Sequence, residues 1–201
     1  MNAVRALFAL PCVLLAACQM TTFETPPLAA TPGCDPALAG RWGSTDDEDP
    51  PAPRPANAKY APPPELVLVI DAACSLDVEE YAQEGVRRGE PTRLHLAREG
   101  ELRYAWVDAG WAMERFREDH RFPDGDIVLM RYTIDGDRLD VFNIDDKATA
   151  HAIIDGDLTG EVRYADNELH NRLTGVQAPE VLGRAGLFDA EPGTFFRMAG
   201  E

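Results

Sequence analysis

From Leu66 onwards the apolar positions of the chain repeat with a period of two, the spacing of strands that show alternate faces to alternate environments. Leu66, Leu68 and Ile70 alternate with Val67 and Val69, so this run is apolar on both faces and predicts a strand covered on each side. Leu94 and Leu96 lead into Glu99-Gly100, and Leu102, Tyr104 and Trp106 resume beyond it, which predicts a hairpin. A second hairpin is predicted from Ile127 to Ile134 across Asp135-Gly136 and back from Arg138 to Ile144, because β-branched and aromatic residues flank a dipeptide that accepts positive φ. Trp111 to Arg117 is expected to form another strand and Thr194 to Met198 a last one. Cys74 to Arg88 carries two signals: early Glu79 and Glu80 with late Arg87 and Arg88 suit a helix dipole, whereas Cys74, Leu76 and Val78 alternate. We read it as strand. Two short helices are predicted near the end. Asp145 or Asp146 can cap the alanine-rich stretch that stops at Asp155-Gly156, and Pro179 can open a second helix through Leu187 with Glu180 and Arg184 four apart. The expected fold is therefore mainly β: an antiparallel sheet, closed or nearly closed into a barrel, with two short helices.

Before residue 66 the pattern changes. Residues 44–64 hold the acidic run Asp46-Asp47-Glu48-Asp49 and the prolines Pro50, Pro51, Pro53, Pro55, Pro62, Pro63 and Pro64, which predicts a solvated loop. Residues 18–36 are rich in Thr, Pro, Ala and Gly with little apolar content, which suits an extended tether to a single barrel-like domain at 37–201. Residues 1–17 combine a cationic start ending at Arg5 with an uncharged apolar run from Ala6 to Ala17. That run is too short to cross about 30 Å of hydrocarbon, which needs roughly 20 residues, and it reads as an export signal.

The run ends in Leu15-Ala16-Ala17-Cys18, which resembles the lipobox of bacterial lipoproteins. The resemblance implies cleavage before Cys18 and lipid on its thiol, so that the chain meets the membrane through acyl chains and not through a spanning helix. Gln19 stands where an aspartate would resemble an inner-membrane retention signal, which implies the outer membrane with the domain facing the periplasm. If Cys12 leaves with the signal and Cys18 carries lipid, Cys34 and Cys74 are the remaining thiols, and an oxidising compartment allows them one pairing.

A second resemblance lies at Leu38-Ala39-Gly40-Arg41-Trp42, which is similar to the Gly-x-Trp opening of lipocalin-like barrels. It implies that Trp42 closes a barrel floor, that Gly40 permits a close approach there, and that a late arginine, by position Arg197, packs over the indole. The Pro-rich insertion after Gly43 and the helix at 145–155 depart from that family's pattern. The wider pattern also resembles small inhibitor-type barrel lipoproteins of Gram-negative bacteria.

Charge narrows the partners. The chain has 19 Lys and Arg against 35 Asp and Glu, a net charge of −16, and loss of Arg5 with the leader makes it about −17. Such a field repels nucleic acid and steers in basic proteins, although acidity also serves solubility alone. The motifs of zinc proteases, serine hydrolases, P-loop and dinucleotide enzymes do not occur, and there is no CxxC pair. His95, His120, His151 and His170 fall on different predicted elements, so they read as surface or packing residues and no metal is expected. Asp-Gly-Asp occurs at 124–126, 135–137 and 155–157; its carboxylates suit calcium, but turn formation accounts for all three and the EF-hand order is not continued. No cofactor and no catalysis are expected. Two functions remain: a lipid-anchored periplasmic module, an inhibitor or immunity protein, that binds a basic protein through its acidic surface, and a lipocalin-like carrier of a small hydrophobic or lipid ligand.

Overall fold

The computed structural model describes residues 19–44, 66–82, 85–116, 122–165, 168–175 and 179–198. The leader, Cys18, the Pro-rich stretch 45–64 and His120 lie outside the described residues. In chain order the elements are β1 (Gln19–Phe23), β2 (Gly40–Ser44), β3 (Leu66–Ile70), β4 (Ser75–Ala82), β5 (Gly85–Arg88), β6 (Thr92–Arg93), β7 (His95–Glu99) and β8 (Leu102–Asp108). Helix α1 (Ala109–Phe116) is followed by β9 (Ile127–Asp135), β10 (Arg138–Phe142), α2 (Asp146–Ile154), β11 (Gly160–Ala165) and β12 (Glu168–Leu173). A 3-10 turn at Pro179–Gly183 and β13 (Gly193–Arg197) complete the chain.

The fold is mainly β and antiparallel-dominated, in one large sheet ordered β11-β12-β1-β9-β10-β13-β2-β3-β4-β5, with β8 also on β9, β7 on β8 and β6 on β4. Of the closed or nearly closed barrel expected from the turn spacing, the closed form is not found: the sheet path ends at β11 and β5. Between β4 and β8 the chain crosses in two short strands, β6 bonded to one and β7 to the other, instead of one strand bonded to both.

The predicted hairpins form where the pattern placed them. Leu139 pairs with Ile134 across a turn in which Gly136 has φ of 57°, a conformation that a Cβ disfavours. Beyond Cys74 the described residues up to Arg88 form the strands β4 and β5, as the alternation suggested, and Val67 and Ile70 of β3 are buried on opposite faces. Three expectations are corrected. Trp111 to Arg117 does not extend as a strand: Ala109–Phe116 is helix, begun by Asp108, whose Oδ1 accepts the Trp111 N–H at 2.8 Å. The helix predicted from Pro179 to Leu187 is a 3-10 turn ending at Gly183, and Arg184 pairs with Asp157 at 2.6 Å and not with Glu180.

The third correction concerns the tether. Residues 19–36 are folded onto the domain. β1 lies in the sheet, parallel to β12, with Thr21, Thr22 and Phe23 all buried. Leu28 packs against the core, the Thr31 N–H bonds the Leu96 carbonyl at 2.7 Å, and Asp35 sits 3.5 Å from Arg103. Thr-Thr-Phe is a strong strand sequence, and its single aromatic ring is completely buried, which outweighs the low apolar content of the segment.

Two apolar clusters result, one on each side of β8 and β9. Trp42, Ile70, Leu76, Leu96, Tyr132 and Leu139 fill the inner cluster. The outer one joins Phe23, Tyr104, Trp106, Leu129, Leu173 and Leu187. β11–β12–β1 and α2 therefore act as a cover over the outer face of the β8–β9 pair.

Candidate functional site

Cys34 and Cys74 form the expected disulfide, with Cα atoms 5.1 Å apart. Cys74 sits at φ of 61° in a tight turn held by Asp71, whose Oδ1 accepts the N–H groups of Ala73 and Ser75, both at 2.8 Å. The bridge ties the segment ahead of β2 to the β3–β4 turn.

At the base of the inner cluster, Trp42 is fully buried and its Nε1 donates to the Leu38 carbonyl at 2.8 Å. Arg197, opposite Trp42 in the β13–β2 ladder, lies with its guanidinium carbon 4.1 Å from the indole centroid. It donates to the carbonyls of Ala39 at 2.8 Å and Ala37 at 2.7 Å. Gly40 has φ of 140°, and a Cβ there would stand 2.6 Å from Arg197 Nη1, so only glycine admits this arrangement. Nearby, Tyr132 donates to Asp35 at 3.4 Å, and burial pushes its phenol up to about 12.

On the outside of β2–β4, Glu79 is buried and receives both Arg41 Nη atoms at 3.1 and 2.6 Å, the Tyr81 hydroxyl at 3.0 Å and Arg88 at 2.7 Å. The Arg41 hydrogen bonds hold its carboxyl below the usual range. Asp126, from the first Asp-Gly-Asp turn, is likewise buried and held by Arg172 at 2.7 and 2.8 Å, so its carboxylate serves the fold. His95 stacks on Trp106 with centroids 5.6 Å apart, the packing role expected of it. Among the described residues no group of three His, Cys, Asp or Glu is placed to hold a metal ion.

At the start of α2, where the sequence offers Asp145 and Asp146 as alternative caps, it gives no sign of the inward role of Asp146. Asp145 is its cap, accepting the Ala148 N–H at 2.8 Å, and the helix ends at Asp155 as expected. Asp146, one residue on, is turned inward: its Oδ1 accepts the Thr21 hydroxyl at 2.7 Å, while Asn171 donates to Thr21 Oγ1 at 3.0 Å and to the Asp146 carbonyl at 2.6 Å. Burial pushes the Asp146 carboxyl up to about 6; the Thr21 hydrogen bond opposes this, and Asp189 and Asp145 add to it. Asp189 is itself raised, by burial and then by Asp145. Three carboxylates thus share one negative region. Beyond them, α2 and residues 184–187 line an open pocket of about 220 Å³ with mixed walls, Ala152, Leu158 and Leu187 beside His151, Asp155 and Arg184, and with the buried Thr149 hydroxyl, which has no hydrogen-bond partner among the described residues, on its lining.

An acid whose folded-state pKa lies above its unfolded value stabilises the fold in its protonated form, so the Asp146 contribution is full below about pH 4 and is lost as pH rises through about 6. Asp146→Asn keeps an acceptor for Thr21 and removes the charge. It is expected to raise stability by about 1–2 kcal/mol above pH 7 and to change it little near pH 4, read as melting temperature against pH. Parallel pH profiles for variant and parent would contradict the assignment. A scan of protein-family models, a search of curated proteins and a search of solved structures each return no match to this chain.

Proposed function

We propose that this chain is a non-catalytic lipoprotein, anchored through Cys18 in the outer membrane and facing the periplasm, that binds a basic protein through its acidic surface as an inhibitor or immunity protein does. The observation that carries the reading is how the charges are spent. Arg41, Arg88, Arg103, Arg138, Arg163, Arg172, Arg184 and Arg197 are each held in an ion pair within the domain; such pairs neutralise acids and bases together, so the excess of acid behind the net charge of −16 remains. Asp189 and Asp145 both push the Asp146 carboxyl up, and Asp145 pushes up Asp189, which marks a concentrated negative potential at the start of α2. Such a field steers a cationic partner and weakens as salt shortens the Debye length.

The expected result is that the lipidated protein retains a basic envelope protein, such as a cationic wall hydrolase, at low salt and releases it at about 0.5 M salt. The double variant Asp145→Asn, Asp189→Asn should weaken that retention several-fold, since asparagine still caps the helix. Retention that ignores both salt and the variant counts against the reading.

A lipocalin-like carrier is the second reading, supported by the Arg197 guanidinium over Trp42 and the close approach at Gly40. The nearly closed lipocalin-like barrel belongs to the same proposal, and β6 and β7 lying end to end between β4 and β8 favour it. It ranks second because Trp42, Ile70, Leu76, Leu96, Tyr132 and Leu139 already pack together where a ligand would sit. A lipid-sized adduct in native mass spectrometry would reverse that order.

A further inference from the structure

We infer that the domain does not stand off the membrane but rests on it, with the end of the sheet formed by β11, β12 and β1 seated in the lipid headgroup layer and Tyr164 inserted there. This rests on the proposed lipid anchor at Cys18 and goes beyond it by assigning the membrane-facing surface. Strand β1 begins at Gln19, so a single peptide bond, about 3.8 Å between Cα atoms, separates the anchoring residue from the folded sheet. The strand is not free to peel away. Thr21, Thr22 and Phe23 are at most 2 % exposed, and the Thr21 hydroxyl is tied to Asp146. At the far end Glu24 bonds the Gly175 N–H and Arg172. A lipid on Cys18 therefore holds Gln19 within a few ångströms of the bilayer boundary, inside a headgroup layer roughly 5–8 Å deep.

The ladder then says what stands beside Gln19. Gln19 pairs with Leu169, and Leu169 with Tyr164, so the three residues form one rung across β1, β12 and β11. Strands lie about 4.8 Å apart, which puts the Tyr164 backbone about 10 Å from Gln19; in the seated domain this rung runs along the membrane surface. Tyr164 is 70 % exposed, which leaves most of its ring on the surface of this sheet end. A ring with an apolar body and a polar tip is the side chain that bilayer interfaces favour. The other edge of the sheet, β5, is far along the strand order and presents Val86, Arg87 and Arg88 to solvent.

The test uses the lipidated full chain in vesicles of phosphatidylethanolamine and phosphatidylglycerol. A fluorophore is attached through Tyr164→Cys, or through Val86→Cys as the control on the opposite edge, and quenched by lipids with a nitroxide on the headgroup. Quenching is expected to be at least about threefold stronger at position 164 than at position 86. A Gly-Ser linker of about ten residues between Cys18 and Gln19, which reaches roughly 17 Å, should bring the two positions level while the protein still sediments with the vesicles. Equal quenching in the parent chain overturns the seated domain and leaves the anchor standing. Quenching at position 164 that survives the linker overturns the short attachment as its cause. A chain that mass spectrometry shows without lipid on Cys18, and that fails to sediment, overturns both readings.

Discussion

Trp42→Ala is expected to cost about 3–5 kcal/mol of folding stability, the largest single effect in the domain, seen as a lower urea midpoint at unchanged slope. The indole is fully buried, so its removal leaves a cavity that the surrounding strands fill only in part. The loss extends beyond volume. The Leu38 carbonyl forfeits its donor at 2.8 Å, and Arg197 loses the ring face 4.1 Å away while still committed to the carbonyls of Ala37 and Ala39. Trp42→Phe separates these terms: it keeps a ring under the guanidinium and gives up the hydrogen bond, so its cost should be clearly smaller, on the order of 1–2 kcal/mol. If both variants melt with the parent, the floor of the inner cluster is not organised by this residue.

Opening the Cys34–Cys74 bridge should have the next largest effect. The half-cystines are separated by 40 positions, and releasing a loop of that size restores chain entropy to the unfolded state worth about 4 kcal/mol on the loop-closure estimate. For a domain of this size that corresponds to a fall in Tm of roughly 8–16 °C. Thermal melts with and without reductant, and of Cys34→Ser and Cys74→Ser, should agree with one another, since each opens the same loop. The site also makes Cys74 a sensitive position for a second reason. It holds a positive φ that the Asp71 turn imposes, and the reduced chain is free to abandon it.

Much of the fold was legible because its cause is local. The Asp135-Gly136 turn, the Asp145 cap and the stop at Asp155-Gly156 each depend on residues a few positions apart, and each formed where the pattern put it. α1 was misread for an instructive reason. Trp111 and Met113, two positions apart, would share one face of a strand, but Asp108 offers a side-chain acceptor to the Trp111 N–H, and that cap decides for helix. The β11–β12 hairpin was passed over because Val162 and Tyr164 stand among charged residues and polar Asn171 faces inward; its stability comes from β1 and α2, distant partners that no local window contains.

The candidate site was legible only at its edges. Asp145 and Asp146 both read as possible caps, and nothing in their spacing says that one turns out to the helix terminus and the other inward to Thr21, 125 positions away. The same is true of the acidic surface. The charge of −16 is a property of composition, whereas which acids are consumed, Glu79 by Arg41 and Asp126 by Arg172, depends on residues 38 and 46 positions apart being brought together by the fold.

By itself the sequence determined the β class, the hairpin turns and the excess of acid, because short-range periodicity, turn chemistry and composition suffice for these. Only the tertiary structure decided that the sheet stays open between β11 and β5 and that residues 19–36 are part of the domain, and it set Arg197 over Trp42 as the Gly-x-Trp resemblance implied. The physical reason is common to all three. Each depends on which surface lies opposite a given side chain, and a segment such as Thr21-Thr22-Phe23 reads as linker until β12 and α2 are there to bury it.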